Sequence, residues 1–141
     1  MQITKRTRYY QGYMDVKKIT KYWVATAEED FRVSQHLFKT KDYTYCLFFG
    51  HLTIEKLLKA LIIKRKQTPA PFSHNLVYLA EKAELLLTES QLGLLERISK
   101  YNIEARYPDI KRTLRKKTTK RYTDIEFKKI KGIIQWLRKE I

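Results

Sequence analysis

The sequence predicts an all-α fold, a bundle of about five helices, on three observations. The stretch from Tyr43 to Lys66 is apolar nearly all round a helical wheel, as expected for a helix in the middle of a bundle. Elsewhere apolar residues recur three to four apart behind capping residues, the helical period. With only 4 glycines and 3 prolines in 141 residues, 43% of them apolar, little turn chemistry is left for a β architecture. The length suits one domain with one core, here 20–141, preceded by a basic extension at 1–19.

In chain order, the extension carries Lys5, Arg6, Arg8, Lys17 and Lys18 among Tyr9, Tyr10 and Tyr13, with no sustained period. Cations that neutralise phosphates beside tyrosines that stack on bases suit single-stranded nucleic acid; an arm packed on its own domain is the plainer alternative. Thr20 can cap a first helix in which Trp23, Ala27, Phe31, Ser34 and Phe38 form one face. Asp30 lies beside that face, where a carboxylate needs a cation, and Lys56 is the candidate. Asp42 can cap the central helix, which the run Gln67-Thr68-Pro69-Ala70-Pro71 must end. Ser73 can cap a third helix reaching about Leu87. Thr88 and Gln91 form a capping box that opens a fourth, running to Ile103 or Arg106 and broken by Pro108.

The segment that follows, Asp109 to Tyr122, brings Lys111, Arg112, Arg115, Lys116, Lys117, Lys120 and Arg121 together without an acid after Asp109. Lacking an apolar period, it reads as an exposed loop. Thr123 and Glu126 have capping-box spacing, so the last helix is expected to open there and to bury Phe127, Ile130, Ile133, Ile134 and Leu137.

Thirty Lys and Arg against fifteen Asp and Glu give a formal charge of +15, which favours polyanionic partners. The single Cys46 excludes an internal disulfide, and no Cys/His spacing resembles a metal site, so neither metal nor cofactor is expected. The N-terminus lacks the apolar core of a signal peptide, and Glu55, Lys56 and Lys59 interrupt the longest apolar run too early for a bilayer. A cytoplasmic protein without membrane contact is expected.

Three features carry chemistry. His51, Glu55 and Lys59 recur every four residues on one face of the central helix, either as an intrahelical ion-pair ladder or as part of a site. His74, in Ser73-His74-Asn75-Leu76, lies at a helix entrance. Arg106 stands at a helix break, where a guanidinium can close the helix or hold a phosphate.

The combination of Tyr22–Phe31 (YWVATAEEDF), Phe48–Leu61 (FFGHLTIEKLLKAL), Ser73–Leu76 (SHNL) and Asn102–Asp109 (NIEARYPD) closely resembles the HEPN domain, over Tyr22 to Arg138. The resemblance implies an antiparallel four-helix up-and-down bundle with an additional short helix, commonly a homodimer. Several lineages of that family are metal-independent ribonucleases acting as toxins in toxin–antitoxin pairs with a minimal nucleotidyltransferase; others bind nucleotides or partners without catalysis.

The ribonuclease lineages use an Arg followed after four to six residues by a His. Here no His follows Arg106, so the usual motif is absent. The first reading is therefore a module that binds nucleic acid or a nucleotide through Arg106, Lys111, Arg112, Arg115, Lys116, Lys117, Lys120 and Arg121, in a two-component system with a minimal nucleotidyltransferase. The alternative is a ribonuclease toxin whose site is assembled from His51, His74 and Arg106. In either case Asp30, Glu55, Lys56 and Lys59 are expected to form a structural polar network between helices.

Overall fold

The computed structural model describes residues 15–141, and every regular element among them is helical. Six helices follow in order: α1 (Val16–Lys39), α2 (Tyr43–Lys66), α3 (Leu76–Lys82), α4 (Glu89–Glu104), α5 (Pro108–Lys117) and α6 (Lys120–Glu140). The long helices α1, α2, α4 and α6 build the bundle, and α2 touches every other helix.

That position follows from composition. Leu47, Ile54, Leu57, Leu58 and Leu61 of α2 are buried on different sides of the helix, so it needs neighbours all round. Gly50 allows one of them close: a Cβ there would lie 3.1 Å from Ile130 Cγ2 of α6. On the α1 side the Ser34 hydroxyl donates to the Cys46 carbonyl at 2.8 Å. Burial pushes the Cys46 thiol up to about 11, so it stays protonated and inert. Gln67, in the left-handed region at φ 54, ends α2 ahead of Pro69.

Several boundaries differ from expectation for local reasons. Lys5, Arg6, Arg8, Tyr9, Tyr10 and Tyr13 lie outside the described residues. Lys17 and Lys18 belong to the first turn of α1, whose cap is Asp15: its Oδ1 accepts from the Lys18 N–H at 3.0 Å, and Thr20 is buried within the helix. Two lysines at a helix start oppose the macrodipole, which hid that start from a reading of charge. Asn75, not Ser73, caps α3, and the helix stops at Lys82, well before Leu87. The Thr88–Gln91 capping box is present, with bonds of 2.9 and 3.1 Å.

The basic stretch is not a loop. Pro108 takes the first turn of α5, where a proline costs no hydrogen bond, and Arg and Lys are good helix formers. Leu114 is its buried anchor, and Thr118 seals the turn beyond it through a 2.9 Å hydroxyl contact with Thr44 of α2. The next helix starts at once: Thr119 caps α6 by accepting from the Tyr122 N–H, so Thr123 and Glu126 lie inside the helix and do not cap it.

Glu126 has a different task. Arg97 of α4 grips both its oxygens, at 2.6 and 2.8 Å, and the Tyr101 and Tyr122 hydroxyls converge on Oε2. This cluster ties α4 to α6.

Candidate functional site

The polar stripe of α2 is buried. His51 has 0% exposure, and Glu55 and Lys59 are almost as enclosed. Lys59 Nζ lies 3.3 Å from Glu55 Oε2 and 5.5 Å from the centroid of the Trp23 ring on α1, so the ammonium is held by a carboxylate and an aromatic face. One turn away Lys56 reaches Asp30 of α1 at 2.6 Å. The four network residues therefore form two separate ion pairs, both oriented toward α1.

The loop before α3 closes over the stripe. His51 Nε2 lies 3.0 Å from the His74 carbonyl, so it must carry the proton and donate. His51 Nδ1 is then an unprotonated, buried nitrogen without a partner among the described residues. Burial lowers the His51 pKa, and the charge of Arg106 lowers it further, outweighing the His74 carbonyl and Glu55. His51 is thus a neutral structural imidazole that fixes the backbone of the loop.

The His74 side chain is in the opposite situation. Its Nδ1–H donates to Glu55 Oε1 at 2.7 Å, and the side chain is 52% exposed. A carboxylate on Nδ1 fixes the tautomer and leaves Nε2 as a free acceptor at the surface. Ser99 of α4 secures the same loop, its hydroxyl accepting from the Leu76 N–H at 3.0 Å.

Ser99, Asn102 and Arg106 are spaced three and four apart, so the chain of α4 that anchors the loop leads along one side to Arg106. Arg106 follows the C-cap Ala105, with its N–H bonded to the Ile103 carbonyl. Its Nε donates to the buried Asn102 Oδ1 at 3.1 Å, which orients an otherwise exposed guanidinium. His51, His74 and Glu55 are thereby joined, while Arg106 lies farther along the side of α4 that anchors the loop.

The remaining basic candidates lie elsewhere on the chain. Arg112, Arg115, Lys116 and Lys117 of α5 and Lys120 and Arg121 of α6 are exposed, and none of them takes part in an ion pair among the described residues. The side chain of Lys111 is outside the described residues. Lys117 Nζ stands over the Tyr122 ring at 5.3 Å. Lys120 and Arg121 occupy the first turn of a helix with no acid there, where the macrodipole disfavours cations and welcomes an anion.

Residues not singled out from the sequence complete the picture. Asn102 had a readable signal, its four-residue spacing to Arg106. Ser99 and Arg97 had none, because their partners, Leu76 and Glu126, are distant in the chain. No group of three or more His, Cys, Asp or Glu side chains able to hold a metal occurs among the described residues, and none of the described helices is long and apolar enough to cross a membrane.

The HEPN domain family's profile matches residues 20–140. Among solved structures, TT1696 from Thermus thermophilus is similar in fold, with a TM-score of 0.70 at 20% identity over 86% of this chain and 98% of that one. A search of curated proteins finds no match.

Proposed function

Because the chain belongs to the HEPN domain family, we propose that it binds nucleic acid or a nucleotide through the basic face of α5 and the start of α6, as one component of a two-component system with a minimal nucleotidyltransferase. Family membership supports a nucleotide- or RNA-related role at the general level. The observation that carries the finer reading is the run of exposed cations on α5 and the start of α6 for which no ion pair occurs among the described residues, whereas Lys56, Lys59, Arg65, Lys66, Arg97, Lys128 and Arg138 each pair with an acid. Unpaired, exposed cations on adjoining helices exchange condensed counterions for phosphates, and Arg106 adds an oriented guanidinium. A homodimer would double this surface.

The test is binding of single-stranded RNA by the isolated protein across a salt series. Changing Arg112, Arg115 and Lys116 together to Gln is expected to weaken binding and to reduce the slope of log K against log salt by roughly 2, on the basis of about 0.7 per lost phosphate contact. Salt-sensitive binding to a nucleotidyltransferase with no affinity for RNA or nucleotides would reassign the face to protein docking.

A second reading, a metal-independent ribonuclease toxin, is favoured by one observation. His74 presents an exposed imidazole whose Nδ1 meets the buried Glu55 carboxylate, although no His follows Arg106 at the usual spacing.

A further inference from the structure

We infer that the groove between the start of α1 and the ends of α2 and α6 binds an aliphatic carboxylate, its chain along α1 and its charged end between Lys17 and Lys21. The site goes beyond the nucleic-acid reading and does not depend on it. Thr44, which meets Thr118 beside α5, and Lys64, which lines the groove, are separated by roughly 30 Å of α2.

The groove encloses about 700 Å³, within the range of roughly 300–1,000 Å³ typical of small-molecule sites. Its apolar wall follows from helical spacing. Val16, Thr20 and Val24 recur every four residues and form one stripe of α1; Ala25 lies beside them, and Ile141, the C-cap of α6, completes the lining. From Val16 to Val24 the stripe runs for roughly 12 Å, a trough long enough for a chain of methylenes. Thr20 is the polar interruption in it. The residue is 8% exposed, and its hydroxyl has no partner among the described residues, a cost that a bound polar group would remove.

Charge selects the occupant. Lys17 and Lys21 line the groove one turn apart, and neither takes part in an ion pair among the described residues. Each disfavours the other, and both lie near a helix start that itself favours an anion. The acids at these helix ends are committed elsewhere: Asp15 caps α1, and Glu140 holds Arg65. Lys64 is committed too, donating to the Ile141 carbonyl and tying α2 to α6. A second copy of the chain, at +15, would bring like charge to this rim, and the sequence before Asp15 brings Lys5, Arg6 and Arg8 without an acid. A methylene chain ending in a carboxylate matches both the wall and the rim.

The experiment is an NMR titration of the full-length protein with decanoate below its micelle threshold, beside octanoate, decanol and the decyltrimethylammonium cation. Saturable decanoate binding is expected, with amide shifts confined to the start of α1 and the ends of α2 and α6. Octanoate, two methylenes shorter, should bind roughly tenfold more weakly. Changing Lys17 and Lys21 together to Gln should weaken decanoate binding roughly tenfold and leave decanol binding unchanged. Ala25→Trp, at an exposed helical position, should block the groove while the spectrum stays that of the folded protein. Decanol or the cation binding as tightly as decanoate, shifts spread over other faces, or undiminished decanoate binding by the lysine variant would overturn the site. So would binding to phosphatidylglycerol vesicles without saturable binding of decanoate, which would reassign the groove to a lipid surface.

Discussion

Glu55→Ala is expected to lower the free energy of unfolding by about 3–5 kcal/mol, the usual cost of removing one member of a buried ion pair. The change strands the Lys59 ammonium, which is 7% exposed, with only the Trp23 ring beside it, and it releases the His74 ring. Urea unfolding monitored by circular dichroism measures the loss. The control is Glu55→Leu combined with Lys59→Met, which removes both charges at similar volume and is expected to recover most of the stability. A loss as large in the pair as in Glu55→Ala would show that the ion pair was not the reason. The comparison also separates the two uses of Glu55, since the paired variant should fold and still lack a partner for His74.

The second large effect is expected at Glu126. Its carboxylate is 3% exposed and is the shared acceptor for Arg97, Tyr101 and Tyr122. Glu126→Ala is expected to cost about 2–4 kcal/mol, because one substitution leaves two hydroxyls and a guanidinium without their acceptor. Part of Arg97 remains in water, which holds the value below that for Glu55. The site has a pH signature too. Burial raises the Glu126 pKa, but the bonds from Arg97 and Tyr101 outweigh it and leave the carboxyl below its ordinary 4.5. A depressed folded value means that the contribution is complete above about 4.5 and is lost as pH falls through the lower value of the folded state. Wild type should therefore lose stability on acidification in that window, and Glu126→Ala should lose less. Thermal unfolding across the acid range tests this.

What could be read without coordinates was whatever is local. Tyr43–Lys66 announced itself as central because its own residues are apolar all round, and Thr88 with Gln91 announced a helix start because both bonds lie within one turn. α5 was hidden because a helix that presents nearly every described side chain to solvent has no apolar period to detect; Leu114 alone does not make one. The spacing of Thr123 and Glu126 suggested a cap, but a carboxylate can serve an interface just as well, and only the approach of Arg97 and Tyr101 decides between them. At the candidate site the sequence supplied residue types and not their surroundings. His51 and His74 are equivalent as letters. They differ by whether a carbonyl or a carboxylate faces the ring, and by burial, both of which arise from the loop folding back on α2.

The mounting of α5 has a consequence for how this surface behaves in time. Its described side chains attach to the body through Leu114 and, just beyond its end, Thr118, whereas α2 is buried along most of its length. Local opening free energies track such burial, so amide hydrogen exchange should be fast in α5 and limited by global unfolding in α2. The densest charge thus rides on an element that is easily detached. A polyanion that holds it down should slow exchange in α5 and the first turn of α6, leaving a footprint confined to those two segments.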